Sequence, residues 1–233
     1  MTRGDGTCQD TCASTGASTS KESRVRELRT VVLASASPRR RELLASLGLR
    51  VLVMPTGVDE SPRPGVAARD VAVLHAEMKM QAAIARVASN LVISADTVVD
   101  VDGRDLGKPR SVAEAAAMLR VLSGREHLVH TAFVATDATS RARLSNVSTT
   151  RVWFVPLSDD DIDAYVATGE ALDKAGAYGI QGRGSALVQR IDGDFYTVMG
   201  FPLGLFVRSL PKLGLRLQSG AEAVADLRGT ARS

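Results

Sequence analysis

The sequence predicts an α/β fold in which helices flank a mixed sheet. Short β-branched runs alternate with segments of helical periodicity, as is typical of α/β proteins. Asp102-Gly103 follows an apolar run and indicates a hairpin, so the sheet should contain antiparallel pairs besides parallel ones. With 45% hydrophobic and 24% charged residues among 233, the chain can form one large core or two lobes that share a cleft.

The first elements read as a strand, a loop, a helix and a second strand. Residues 31–34 form a short β-branched run. Ser37 suits the N-cap of a helix, Pro38 suits its first position, and Gly48 suits its end. Residues 49–54 are again apolar and predict the second strand.

The longest helix is predicted over residues 67–88, after a connection rich in proline and glycine. Its Ala-rich sequence has helical periodicity, and one stripe consists of Val71, Leu74, Met78 and Ala82. We expect this stripe to face the core. Residues 91–101 then predict a buried strand that ends at the hairpin turn.

The second half of the chain continues with helices between hairpins. Ser111 and Glu114 have the spacing of a capping box, for a helix that ends near Gly124. Ser158 is the predicted N-cap of a helix that extends to about Thr168. The remaining strands are predicted at 127–136, 148–156, 186–191 and 197–199, with a glycine-rich loop at 173–184.

Composition limits the functional classes. The formal charge is +3, from 29 basic and 26 acidic residues, so we expect no nucleic-acid partner. No run approaches about 18 apolar residues, so we expect no membrane association. Cys8 and Cys12 are the only cysteines, which fits a reducing cytoplasm.

Low hydrophobicity at both ends predicts a disordered tail at 1–27, a domain at 28–210 and a second tail at 211–233.

A run of cations stands at the predicted start of the first helix. Arginines occupy positions 39–41, where the helix macrodipole already favours an anion. A phosphate would satisfy both, and the hydroxyls of Ser35 and Ser37 could add donors. Alternatively, the arginines point in different directions and are neutralised by solvent and Glu42.

Asp96 lies within an apolar strand, where a carboxylate is costly to bury without a cation, a metal or a cleft. It could orient a hydrated Mg²⁺ or take a proton from an attacking water. Alternatively, it accepts a hydrogen bond from a nearby backbone amide at a strand end. Lys79, Lys108 and Lys174 are placed where they could converge on a common site.

Two other groups of polar residues are interpreted as structural. The aspartates within 159–163 follow Ser158, and carboxylates in a first helical turn satisfy free amides and the dipole, so we prefer capping to metal binding. His75, His127 and His130 have no metal-ligand spacing with other histidines or cysteines.

Several motifs occur in an order that resembles one known family, the Maf nucleoside triphosphate pyrophosphatases. They are Ser35-Ala36-Ser37-Pro38-Arg39-Arg40, Val58-Asp59-Glu60, Ser94-Ala95-Asp96-Thr97-Val98-Val99, Gly107-Lys108-Pro109, Leu122-Ser123-Gly124, Asp173-Lys174-Ala175-Gly176-Ala177-Tyr178-Gly179-Ile180-Gln181-Gly182 and Gly200-Phe201-Pro202-Leu203. The resemblance implies a Maf/ITPase-like mixed sheet with two lobes around a central cleft. It also implies hydrolysis of a nucleoside triphosphate between the α and β phosphates, a divalent cation (Mg²⁺ or Mn²⁺) and a homodimer.

The resemblance also implies residue roles. The position of Asp96 is that of the proton acceptor in this family, and Glu60 lies at a metal-binding position. Lys79 and Lys108, like Glu60, match positions near the phosphates or the metal, while Ser35, Ser37 and Arg39 are substrate-binding candidates because they stand at the start of the first helix. The substrate-binding positions associated with base choice are Arg40, Thr97 and Gln181, and this combination resembles the branch that acts on dTTP and UTP. The alternatives are the branch that acts on 7-methyl-GTP, and a nucleotide-binding regulator of cell division and septum formation.

Overall fold

The computed structural model describes Met1 and residues 25–61, 63 and 65–218. The strands are β1 (Arg26–Leu28), β2 (Thr30–Leu33), β3 (Arg50–Val53), β4 (Leu91–Val101), β5 (Arg104–Leu106), β6 (Glu126–Asp137), β7 (Arg143–Phe154), β8 (Val188–Asp192) and β9 (Leu215–Leu217). The helices are α1 (Pro38–Ala45), α2 (Ala68–Ile84), α3 (Val112–Leu122), α4 (Asp159–Val166), α5 (Phe195–Met199) and α6 (Leu203–Ser209).

A seven-stranded mixed sheet organises the molecule, in the order β3-β2-β4-β6-β7-β8 with β5 paired to β4. β2 lies between β3 and β4 in parallel, while β4, β6, β7 and β8 pair antiparallel. The β4–β5 hairpin turns at Asp102 and Gly103, whose φ angles of 53° and 77° are both left-handed, as its sequence predicts. The predicted mixed sheet with flanking helices is therefore confirmed.

Three buried clusters cover the sheet. α1 and α6 pack with Ile93 and Phe133 on one face, and α2 packs with Val92 and Val134 on the other. This split follows from strand alternation, which sends successive side chains to opposite faces. A third cluster joins α3 and α4 to the far ends of β4, β6 and β7, around Phe154. The third cluster forms a second lobe beside the first two.

The buried face of α2 differs from the predicted one. Leu74 is 40% exposed, whereas His75 and Lys79 are buried at 2% and 3%. The stripe of Val71, Leu74, Met78 and Ala82 was therefore wrong beyond its first residue. Apolar side chains were assumed to mark the inner face, but two polar side chains of α2 point inward because they contact a carboxylate on β4.

One short helix, α5, lies where the sequence predicted a strand, and a second short helix, α6, follows it. Residues 197–199 belong to α5, so the predicted strand was wrong, and α6 was not predicted. The side chain of Asp194 accepts a hydrogen bond from the backbone amide of Thr197 and caps α5. This N-cap overrides the strand preference of a Thr-Val pair.

The predicted caps of the longer helices are present. Ser37 and Ser111 each accept a hydrogen bond from a backbone amide three residues later. Ser158 forms a reciprocal capping box with Asp161, which supports the capping interpretation of the acidic run. The Ser111 box is incomplete, since the carboxylate of Glu114 accepts from the amide of Arg110 instead.

Parts of both predicted tails form a small parallel sheet. β1 pairs with β9, with Arg26 opposite Leu215 and Leu28 opposite Leu217. Leu28 and Leu215 are buried against the cluster of α1 and α6. Residues 2–24 of the first predicted tail and residues 219–233 of the second lie outside the described residues.

Candidate active site

A cavity of about 890 Å³ opens between the two lobes. Its volume lies within the range of roughly 300–1,000 Å³ that is typical of ligand pockets. Its wall combines the β2–α1 loop, the segment before α2, one face of α2, the middle of β4 and the 173–181 loop. All the predicted site residues lie on this wall: Ser35, Ser37, Arg39, Arg40, Glu60, Lys79, Asp96, Thr97, Lys108 and Gln181.

Asp96 is buried in the middle of β4, with 5% of its surface exposed. Lys79 Nζ donates to its Oδ1 at 2.7 Å, and His75 Nδ1 lies 3.1 Å from its Oδ2. Burial by itself raises the pKa of the Asp96 carboxyl. The hydrogen bond from His75 and the charges of Lys79 and Arg40 outweigh burial, so this pKa lies below its usual value. Asp96 is therefore ionised at neutral pH.

A chain of ion pairs connects Asp96 to solvent. Lys79 Nζ also contacts Glu60 Oε1 at 2.9 Å, and the other carboxylate oxygen of Glu60 lies 3.5 Å from Lys108 Nζ. Burial tends to raise the pKa of Glu60, but Lys79 lowers it below its usual value. The Lys108 side chain is 61% exposed, so it can turn toward a bound anion.

The three arginines of α1 point in different directions. Arg40 is buried, and its guanidinium donates to Ser35 Oγ at 3.0 Å, to Thr97 Oγ1 at 3.0 Å and to the carbonyl of Gly200 at 2.9 Å. Arg39 pairs with Asp173 at 3.1 Å on the wall of the cavity. Arg41 is exposed and lies away from that wall. The expectation of three arginines around one phosphate is therefore wrong for Arg41.

The 173–184 loop is held tightly against the second lobe. A Cβ atom at Gly184 would come within 2.2 Å of the carbonyl oxygen of Gly179, so this close approach requires glycine. Gly176 has a φ of 67° and packs against Val99. The Tyr178 hydroxyl lies 2.7 Å from Nε2 of buried His127. These contacts fix the loop that brings Lys174 and Gln181 to the cavity.

A family model described as "Maf-like protein" matches residues 30–213. The chain belongs to the Maf family. The match covers all of the seven-stranded sheet and every residue of the cavity wall named above. The Maf resemblance that the sequence motifs indicated is confirmed.

Several relatives are similar to this chain over most of their length. A dTTP/UTP pyrophosphatase of Methanosarcina barkeri is 44% identical over 191 residues, which are 82% of this chain and 97% of the relative. A dTTP/UTP pyrophosphatase of Moorella thermoacetica is 51% identical over 175 residues, 74% of this chain and 89% of the relative. A dTTP/UTP pyrophosphatase of Shigella boydii is 48% identical and covers 73% and 86% of the two chains.

Solved structures are more distant. The Ham1 protein of Staphylococcus aureus is 16% identical with a TM-score of 0.40, and the match covers 69% of this chain and 80% of that one. The assignment to the Maf family rests on the sequence matches alone.

Within the described residues, none of the helices is both long and apolar enough to cross a bilayer.

His75 was missed by the sequence interpretation, which gave it a structural role. It lies on the cavity wall and contacts Asp96 directly. That hydrogen bond raises the pKa of His75 by more than burial lowers it, so the pKa of His75 lies above its usual value. The available signal was spacing, because residues four apart share one helix face and Lys79 was already a candidate.

The carboxylates on the cavity wall are the side chains that could hold a divalent cation. Within residues 25–61, 63 and 65–218, no group of three or more His, Cys, Asp or Glu side chains is arranged to hold a metal ion. Glu60, Asp96 and Asp105 nevertheless place oxygen donors on one wall, and Asp105 Oδ1 is buried without a partner among the described residues. This donor set fits Mg²⁺, which commonly binds one or two carboxylates together with substrate phosphates.

Proposed function

We propose that this chain hydrolyses dTTP and UTP between the α and β phosphates and releases the monophosphate and pyrophosphate. One observation carries the chemistry: an ionised, buried Asp96 lies among cations on the wall of a cavity of nucleotide size. The choice of substrates is supported by relatives of 42% to 51% identity that act on dTTP and UTP by name.

Asp96 takes the proton of the attacking water in this proposal. Its carboxylate is ionised at neutral pH and its two oxygens are held by Lys79 and His75. Those contacts fix the orientation of the carboxylate, which is what a general base requires besides its charge. The water would lie between Asp96 and the α-phosphorus, on the cavity side of β4.

The phosphates bind to the cations at the cavity wall. Lys108 and Lys174 line it beside Arg39, and the hydroxyls of Ser35 and Ser37 lie at the start of α1. Developing negative charge on the pyrophosphate leaving group is stabilised by such a set of fixed cations and donors. Lys79 contributes from the other side, since it already bridges Asp96 and Glu60.

A divalent cation, Mg²⁺ or Mn²⁺, completes the proposed site. Glu60 would hold it, with phosphate oxygens of the substrate as further ligands. When bound, the cation supplies charge neutralisation at the phosphates. The Lys79 and Lys108 contacts of Glu60 keep this carboxylate ionised and directed into the cavity.

The decisive test replaces Asp96→Asn in the full chain and measures pyrophosphate release from dTTP and UTP with Mg²⁺ or Mn²⁺. We expect turnover to be abolished, while folding and nucleotide affinity are kept because the amide retains most of the shape and Lys79 still pairs with Glu60. Asp100→Asn is the matched control, since Asp100 lies on the same strand but outside the cavity wall. Retained turnover in Asp96→Asn refutes the assigned role, and a wild type that binds these nucleotides without releasing pyrophosphate favours a regulator.

We also propose, from the family resemblance, that the chain acts in the cytoplasm as a homodimer. Light scattering on the purified protein measures the mass directly. A monomer at micromolar concentration would contradict the proposed dimer without bearing on the chemistry of Asp96.

A further inference from the structure

A line of hydroxyl groups runs from the cavity into the core behind it. Thr97, on the cavity wall, accepts a hydrogen bond from Arg40 at 3.0 Å, and its Oγ1 lies 2.9 Å from Thr131 Oγ1. Thr131 Oγ1 in turn donates to the backbone carbonyl of Thr197 at 2.7 Å. Thr131 and Thr197 are fully buried, and Thr131 does not reach the cavity.

The direction of each hydrogen bond follows from the number of protons. A guanidinium can only donate and a carbonyl can only accept, while a threonine hydroxyl has one proton. Thr131 uses its proton on the Thr197 carbonyl, so toward Thr97 it can only accept. The proton of Thr97 therefore points to Thr131. Since the Thr131 side chain is fully buried, solvent cannot readily supply alternative partners.

We propose that Thr131 is a positioning residue that fixes Thr97 as a hydrogen-bond acceptor toward the base, so that the site selects uracil and thymine over cytosine. The proposal rests on the proposed function, in which Arg40, Thr97 and Gln181 contact the base. Thr97 Oγ1 has two lone pairs. One is taken by Arg40, and only the other is left for a ligand in the cavity.

This polarity matches the chemistry of the pyrimidines. Uracil and thymine carry a proton on N3, which can donate to Thr97, whereas N3 of neutral cytosine is an acceptor. Cytosine would therefore bring a lone pair against a lone pair, and a polar site rejects a base that leaves its groups unpaired.

Gln181 cannot make this distinction alone. Its amide presents a donor and an acceptor, and rotation by half a turn exchanges the two. Within the described residues, no hydrogen bond holds the Gln181 side chain in either orientation. The exocyclic oxygen of uracil and the exocyclic amine of cytosine can thus both be satisfied by Gln181. The two bases are distinguished instead by the Thr97 hydroxyl, because its proton is already donated to Thr131 and it can only accept from the base.

The test compares kcat/KM for UTP, dTTP and CTP in the wild type and in Thr131→Val, which keeps the shape of the side chain but removes the acceptor. The Thr97 proton is then free to turn into the cavity, where it can donate to N3 of cytosine. We expect the UTP-to-CTP ratio of kcat/KM to fall roughly tenfold, because the Thr97 proton finds an acceptor in the CTP complex and is left unpaired in the UTP complex. The dTTP-to-CTP ratio should fall in parallel.

Three controls keep the outcomes distinct. Thr131→Ser retains the hydroxyl and should restore the wild-type ratio. Thr97→Val removes the acceptor itself and should lower UTP turnover without a gain for CTP. Thr131→Ala removes the hydroxyl with a smaller side chain and carries the same test if circular dichroism shows that Thr131→Val is unfolded.

An equal loss on all three nucleotides in Thr131→Val and Thr131→Ala overturns the inference, because a merely structural role lowers every activity alike. A wild type that releases no pyrophosphate from UTP or dTTP instead overturns the proposed function. A wild type that hydrolyses UTP and CTP equally overturns the inference and leaves the proposed pyrophosphatase chemistry standing.

Discussion

Replacing Lys79→Met should destabilise the protein strongly at neutral pH. Lys79 is 3% exposed, and its ammonium contacts Asp96 Oδ1 at 2.7 Å, Glu60 Oε1 at 2.9 Å and the carbonyl of Ala95 at 3.3 Å. Methionine fills nearly the same volume, so the change removes the charge without opening a cavity. What remains is a buried carboxylate that has lost its nearest cation.

Breaking a buried ion pair from one side costs about 3–5 kcal/mol. We expect a loss near the lower end, about 3 kcal/mol, because His75 and Arg40 still stabilise the charge of Asp96. With a urea m-value of about 2 kcal/mol/M, the unfolding midpoint falls by about 1.5 M. The assay is urea unfolding followed by circular dichroism at pH 7.

The loss should shrink as the pH falls toward 4. In the wild type the pKa of Asp96 is lowered, so this group stabilises the fold above its unfolded pKa and the contribution is lost as pH falls through the folded value. In Lys79→Met one of the cations that lower the pKa of Asp96 is gone, so the effect of burial raises this pKa and Asp96 takes up a proton at higher pH. The variant therefore regains part of its deficit in mild acid.

Two comparisons make the reasoning refutable. Lys79→Met with Asp96→Asn removes both charges and should be more stable than Lys79→Met alone. Lys108→Met removes an exposed lysine that lies 3.5 Å from Glu60 and should change stability by less than about 1 kcal/mol. If Lys79→Met lowers the free energy of unfolding by less than about 1 kcal/mol, or by an amount that does not vary with pH, the buried-pair explanation is contradicted.

Three further changes test other parts of the site. His75→Gln removes a donor that lowers the pKa of Asp96, so the acid limb of kcat/KM against pH should move to higher pH. His127 has a pKa lowered by burial from 6.5 to about 4, so it opposes folding increasingly as pH falls through that window. His127→Gln should remove an acid-dependent loss on the order of 3 kcal/mol, measured by urea unfolding between pH 7 and 4.5. Gly184→Ala places a Cβ 2.2 Å from the Gly179 carbonyl oxygen, so the loop must shift and both stability and turnover should fall.

Two of these changes have a matched control variant, and the third has a stated outcome that would contradict it. His130→Gln changes a buried histidine outside the cavity wall, and a shift of its kcat/KM profile equal to that of His75→Gln would contradict the contact account. If His127→Gln leaves the acid slope of stability unchanged, the lowered pKa is not its source. Gly204 lies in α6, where an added Cβ would meet only the flexible side chain of Arg208, so Gly204→Ala should be tolerated. Equal losses for the two glycine variants would contradict the close-approach explanation.

Much of the site could be predicted because its motifs are local. The Ser37 cap and the hairpin at Asp102-Gly103 each depend on neighbours within four residues, and the structure has both. A carboxylate inside an apolar strand is likewise conspicuous in the sequence, and Asp96 lies on the cavity wall. His75 was missed because its partner, Asp96, lies 21 residues away in the chain, and its four-residue spacing from Lys79 was the one local signal of this contact.

The sequence by itself determined the mixed sheet, the predicted caps, the family and several of the polar residues around the cavity, though not His75. Those features depend on periodicity, on turn chemistry and on motifs of a few residues. The tertiary structure alone decided which face of α2 is buried, where each arginine of α1 points and which way the Thr97 proton is directed. In each of these cases the deciding partner lies on another element, and an electrostatic contact across the fold outweighs the local preference of the segment.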